Sequence, residues 1–327
     1  MILHIPHHST VIPKEYRDLF VISDEQLAIE LQLMTDHDTD KMFSIEHPDI
    51  TSVMATVSRL LVDNERFRED TQESMSEKGM GAIYTLRQDG TELKKFTEEQ
   101  KETLLTTFYD PHHKALKEAV QNELDANGQS LIIDCHSFPN KPLPYEKTQE
   151  TRNVDFCLGF DDFHAPRELI VDVCRFLEIK GYSYQCNYPF SGSIVPNQYY
   201  KKDQRVSSLM IEVNRDLDTS EVKLLMDALL PYLAGDKSKL PERDFDGENI
   251  CTLLKLDDWA FEEGEVYIDE LHYTPSDNQE LHEECIFKSM EVIFSSPSCL
   301  STIQFWMEVV INFTNDKKLH SVNVDMI

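Results

Sequence analysis

From the first residue to about residue 233, short apolar runs alternate with longer amphipathic stretches, which restricts the chain to strands interleaved with helices. Residues 1–6 read as a strand followed by a polar loop that ends at Pro13. Residues 24–43 carry a helical apolar stripe through Leu27, Leu31 and Met34, with Ser23 as N-cap. Residues 52–62, rich in Val, Thr and Leu, predict a strand, and residues 97–124 a helix. Further strands are expected at residues 130–133, 156–160, 182–186 and 207–213, and helices at 166–180 and 220–233. The fold class that follows is α/β, three layers with a mixed sheet between helices.

The pattern changes near residue 235. The last 93 residues hold 20 acidic against 7 basic side chains and contain two apolar runs, 286–294 and 303–310. We therefore expect residues 1–234 to form one domain and residues 235–327 a smaller acidic α+β domain. Over the whole chain 60 acidic residues face 31 basic ones, a net charge of -29, which opposes binding to nucleic acid or to an anionic membrane. Seven cysteines without a C-x-x-C pair read as reduced core residues. No signal-like start or bilayer-length apolar segment is evident, so a cytoplasmic protein is expected.

Two histidines stand out because each follows a short apolar strand: His7 in Pro6-His7-His8-Ser9 and His136 in Asp134-Cys135-His136-Ser137. A hydrolytic Zn²⁺ takes neutral imidazoles and a carboxylate, leaving a position for a water whose pKa it lowers. Asp36, read as a helix carboxylate on the same face as Asp40, fits the third ligand. Asp134 either orients His136 from behind or ends the strand. Of His112 and His113, which diverge by about 100° on a helix, His113 is the one expected to face inward. A serine nucleophile is disfavoured because neither Ser9 nor Ser137 lies in a G-x-S-x-G turn. Cys135 and His136 are strand neighbours that point to opposite faces.

These blocks together resemble the N-formylglutamate amidohydrolase family. His4-Ile5-Pro6-His7 with Ser9 and Pro13 looks like its opening motif, and Thr35-Asp36-His37-Asp38-Thr39-Asp40 like its acidic segment. Ser58-Arg59 through Asp63-Asn64-Glu65-Arg66 and then Asp134-Cys135-His136-Ser137 follow in the family's order. Asn187-Tyr188-Pro189-Phe190-Ser191-Gly192 and Ile211-Glu212-Val213-Asn214-Arg215 complete it. His8, Ser9 and Glu65 depart from the pattern. The resemblance implies a zinc-carboxypeptidase-like fold and hydrolysis of an N-formyl or other N-acyl amino acid, N-formyl-L-glutamate giving formate and L-glutamate.

On that reading His7, Asp36 and His136 hold Zn²⁺ and Glu212 is the general base. Arg59 stabilises the oxyanion, while Arg66, Arg215, Asn187, Ser137 and His113 contact the substrate, planar guanidinium groups suiting carboxylates. The competing functions are a zinc peptidase or another acyl-amino-acid hydrolase, and a non-catalytic binding protein that retains the fold. The partner expected is a small N-acyl amino acid, with a homo-oligomer left open.

Overall fold

The computed structural model describes residues 1–235 throughout and, beyond them, the backbone of four strands. The chain divides into two units, Met1–Pro241 and Glu242–Ile327. The first contains β1 (Ile2–Ile5), α1 (Asp24–Met34), α2 (Thr39–Met42), β2 (Thr51–Met54), α3 (Glu98–Leu104) and α4 (Asp110–Asn127). It continues with β3 (Ser130–Phe138), β4 (Phe156–Gly159), α5 (Arg167–Ile179), β5 (Tyr184–Cys186), β6 (Val206–Asn214) and α6 (Thr219–Leu233).

These strands form one six-stranded sheet in the order β2-β1-β3-β6-β4-β5. The first four in that order run parallel, whereas β4 is antiparallel to β6 and parallel to β5, so the sheet is mixed as expected. Side chains alternate between faces along a strand, and the two faces have different partners. Leu3, Ile5, Ile133, Leu209 and Ile211 pack with Val173, Phe176 and Leu177 of α5 and with Val222, Met226 and Leu229 of α6. Ile2, Ile132 and Val206 face the other way, onto Leu116, Val120 and Leu124 of α4. Each face buries several large apolar side chains, and every such burial stabilises by roughly 1.5–3 kcal/mol before ordering costs.

Three expected elements come out differently. The apolar run 52–62 is a strand only over β2, since β1 offers just four residues before Pro6, whose ring removes a backbone donor. Residues 57–62 are instead buried coil, with Val57, Leu60, Leu61 and Val62 packed on Met80, Tyr84, Leu104 and Leu105. Lys94, itself buried, donates to the carbonyls of Leu60 and Leu61 and fixes that coil. The helix expected at 24–43 breaks after Met34: Thr35 is extended and Asp38 is left-handed with φ 62°. Thr and Asp bond to nearby backbone and favour caps over helix interiors, and here Thr39 Oγ1 donates to the Asp36 carbonyl. The helix expected at 97–124 is α3 and α4 joined by a π-helical turn, Leu105–Tyr109.

In the second unit β7 (Val266–Thr274), β8 (Leu281–Ser296), β9 (Cys299–Thr314) and β10 (Leu319–Met326) form an antiparallel sheet in the order β10-β9-β8-β7. The apolar runs 286–294 and 303–310 lie within β8 and β9. The helical part of the expected α+β arrangement is not found among the described residues. The charged stretch 236–248, expected from the sequence to be loop-like, lies outside them. Among the described residues no helix is long and apolar enough to cross a membrane.

Candidate metal centre and its surroundings

The site begins with strand register. In the parallel pairing of β1 with β3, His4 lies opposite Asp134, and in that of β3 with β6, His136 lies opposite Glu212. Asp134 and His136, two apart, share the face that α4 covers. His136 therefore sits inside β3, not beyond it as expected, because β6 pairs with β3 as far as Phe138. His7 follows the end of β1. Its carbonyl accepts from the Asp36 backbone N–H at 3.0 Å, so the break after α1, not a helix, presents Asp36 to the site.

His7, Asp36 and His136 are all buried, and one donor atom from each lies within 4.8 Å of the others. Nδ1 of His136 is 3.0 Å from Asp36 Oδ2, and Nδ1 of His7 is 3.6 Å from the same oxygen. The outer nitrogens are both anchored: His7 Nε2 is 2.8 Å from Asp63 Oδ1 and His136 Nε2 is 3.0 Å from Asp134 Oδ1. The buried Nδ1 of His7 has no hydrogen-bond partner. Two imidazoles, each tied to a carboxylate through Nε2 and turned through Nδ1 toward a shared carboxylate, fit a cation, since such outer carboxylates fix the ligating tautomer. Of the two options for Asp134, the structure selects the one behind His136.

Three guanidinium groups surround the carboxylates. Arg215 donates from Nε to Ser137 Oγ, from Nη1 to the Leu33 carbonyl, and from Nη2 to Asp36 Oδ1 and the Ser137 carbonyl. All three nitrogens of Arg215 are thus engaged, and the Ser137 backbone N–H donates to Asp36 Oδ2, so both residues hold Asp36 in place. Arg59 donates to Asp63 Oδ2 at 3.0 Å and lies 3.7 Å from Asp36 Oδ1. Arg66, 3.7 Å from Asp63 Oδ2, has a buried Nε without a hydrogen bond. Arg68 is turned away onto Asp110 and Glu102.

Burial alone would raise the pKa of Asp36, but His136, His7 and Arg215 hold it well below the usual carboxylate range. Asp63 is likewise held low against burial by Arg59 and His7. Glu212 goes the other way. Burial pushes its pKa up to about 7, with Asp36 and Asp134 adding to the rise and His136 and Arg215 opposing it. Its Oε2 is buried and makes no hydrogen bond.

The remaining expected residues are less central. Asn187 is exposed, has φ 53°, and its Oδ1 accepts from the N–H groups of Phe160 and Gly192, so it holds the turn that follows β5. His113 stacks on Tyr109 with centroids 4.0 Å apart and places Nε2 3.0 Å from the Asn64 carbonyl. The more buried of the pair is His112, contrary to expectation, since it begins the stripe that continues through Leu116, Ala119, Val120 and Leu124. His112 Nε2 lies 2.8 Å from His4 Nε2. Asp40, in α2, hydrogen-bonds neither imidazole.

Sequence reasoning assigned no role to His4, Asp63 or Glu65. Register with Asp134 is the signal that picks out His4; Asp63 is marked only by its place in a family block, because its coil is fixed by Lys94 and by the carbonyl of Ala82, both distant in sequence.

Residues 1–218 match the family model for N-formylglutamate amidohydrolase, which is more than half of the chain. The chain belongs to that family. Among solved structures, N-formylglutamate amidohydrolase from Ralstonia eutropha JMP134 is similar with 23% identity and a TM-score of 0.60, covering 71% of this chain and 92% of that one. A gene product of Agrobacterium tumefaciens is similar with 18% identity and a TM-score of 0.49, covering 73% and 89%. A search of curated proteins finds no match. Family membership makes the chain an amidohydrolase.

Proposed function

We propose that residues 1–234 form a zinc-dependent, zinc-carboxypeptidase-like amidohydrolase that cleaves N-formyl-L-glutamate with water into formate and L-glutamate. The observation that carries this reading is the convergence of His7 and His136, through Nδ1, on Asp36, with both Nε2 atoms anchored. His7, Asp36 and His136 would hold Zn²⁺. Bound there, the cation would polarise the scissile carbonyl and lower the pKa of water at the site.

Glu212 takes the proton of the attacking water and returns it to the leaving nitrogen. A carboxyl poised at about pH 7 is suited to both transfers. The water oxygen forms a bond to the formyl carbon, the carbonyl oxygen gains negative charge, and Arg59 stabilises that charge. Collapse breaks the C–N bond. Arg66 receives a substrate carboxylate; His113 and Asn187 flank the pocket, and Arg215 with Ser137 keeps Asp36 aimed. We assign the protein to the cytoplasm and residues 235–327 to a separate acidic domain.

Substrate profiling of zinc-loaded protein tests the assignment. N-formyl-L-glutamate is expected to be hydrolysed with a higher kcat/KM than N-acetyl amino acids or dipeptides. If it is untouched while those turn over, the site belongs to an acyl-amino-acid hydrolase or a peptidase.

A further inference from the structure

Behind His136 lies a second group of converging donors that the proposed reaction leaves unused. Nδ1 of His4 is 2.8 Å from Asp134 Oδ1 and 3.1 Å from Glu65 Oε1, and all three donor atoms lie within 4.8 Å of one another. His4 and Asp134 are fully buried, and Glu65 is 17% exposed at its side chain. We propose that His4, Glu65 and Asp134 form a second divalent-cation site, distinct from that of His7, Asp36 and His136.

Three features argue for a cation. An imidazole Nδ1 carries at most one hydrogen, directed one way in the ring plane, so it can satisfy only one of the two oxygens that approach it. Glu65 Oε1 is accordingly buried without a hydrogen bond, and a cation among the three atoms would be bound by all of them. The second feature is tautomeric. His4 Nε2 faces His112 Nε2 at 2.8 Å, so one nitrogen must donate and the other accept. In the arrangement where His4 Nε2–H donates to His112 Nε2, His4 Nδ1 keeps a free lone pair, the form a metal requires. Third, Asp134 Oδ2 is already occupied by the Ile194 backbone N–H at 3.2 Å, which leaves Oδ1 to face the site.

One imidazole and two carboxylates suit Zn²⁺ or Mn²⁺. The two sites share His136 as a wall, its Nδ1 facing Asp36 and its Nε2 facing Asp134 Oδ1 and, at 3.9 Å, Glu65 Oε1. A cation in the second site would offset the charge of the carboxylates behind His136 without touching substrate.

Metal-stripped protein dialysed against Zn²⁺ and measured for bound zinc by elemental analysis tests this, with folding of each variant checked by circular dichroism. The wild type is expected to bind two ions per chain, Glu65→Gln one, Asp36→Asn one, and the double variant none. Glu65→Gln that binds as many ions as the wild type overturns the second site. So does a wild type that binds a single ion and loses it in Asp36→Asn, a result that stands even if Glu65→Gln does not fold. Conversely, zinc content unchanged by Asp36→Asn overturns the first centre and leaves the second standing. A wild type that binds no zinc overturns both.

Discussion

The tightest constraint at the residue scale is the pairing of each candidate ligand with a group behind it: His7 with Asp63, His136 with Asp134, and Asp36 with Arg215. Glu212 differs in having an unpartnered buried oxygen and a pKa near 7, the profile of a group that moves protons. Because the base acts when ionised and a bound cation would lower its pKa below the metal-free value of about 7, kcat/KM of zinc-loaded protein is expected to fall as pH drops below 7. Glu212→Gln should lower kcat by about 10²–10⁴-fold, the usual share of general acid–base catalysis, with zinc content unchanged. Activity within tenfold of wild type in that variant would assign the proton transfer elsewhere. His7, Asp36, His136 and Glu212 were legible in the sequence because short motifs carry them. Of the groups behind them, Asp134 was marked by its two-residue spacing from His136, Arg215 was read as a substrate contact, and Asp63 appeared only as part of a motif.

At the scale of elements, register does most of the positioning, since His4 opposite Asp134 and His136 opposite Glu212 follow from β1, β3 and β6 running parallel. Short apolar runs made those strands readable. What could not be read was where the chain departs from regular structure: the break that frees Asp36 and the coil 57–62 that carries Arg59. Both depend on tertiary partners, the His7 carbonyl for one and buried Lys94 for the other. The end of β4 has a comparable constraint. A Cβ at Gly159 would come within 2.5 Å of the Gly192 carbonyl oxygen, in the turn that Asn187 holds. Backbone cannot yield as a side chain does, so Gly159→Ala should destabilise by about 1–3 kcal/mol, the usual range for overpacking. A urea midpoint equal to that of wild type would mean that the turn moves freely.

For the whole molecule, buried titratable groups link stability to pH. His113 has its pKa lowered to about 4 and His112 to about 2, in both cases first by burial. The unfolded chain takes up these protons below about 6.5 and the fold does not, so their contribution is full above 6.5 and is lost as pH falls toward the folded values. Asp36 and Asp63, held low, add a further loss of stability in acid below about 3.9. His4 acts in the opposite direction. Burial would lower its pKa, but Asp134 and Glu65 raise it to about 9, so its contribution is full below 6.5 and is lost as pH rises through 9. Glu212, its pKa raised to about 7, adds stability as pH falls over the same range. The two imidazoles outweigh it, so the urea midpoint of metal-free protein should fall between pH 6.5 and 4.5. It should fall less in His113→Gln, which keeps a donor for the Asn64 carbonyl; an equal fall would remove His113 from the account.

The mixed sheet between helices and the order of the family motifs were both readable in the sequence, and the family model spans residues 1–218. The second unit was not readable to the same degree, because acidic composition and two apolar runs do not specify how strands pair. The central claim is that His7, Asp36 and His136 share one metal ion. Anomalous diffraction at the zinc edge from crystals grown with Zn²⁺ tests it most directly. The account predicts a peak about 2.0–2.2 Å from His7 Nδ1, His136 Nδ1 and an Asp36 oxygen. Zinc-loaded crystals with no peak between these three residues would contradict it.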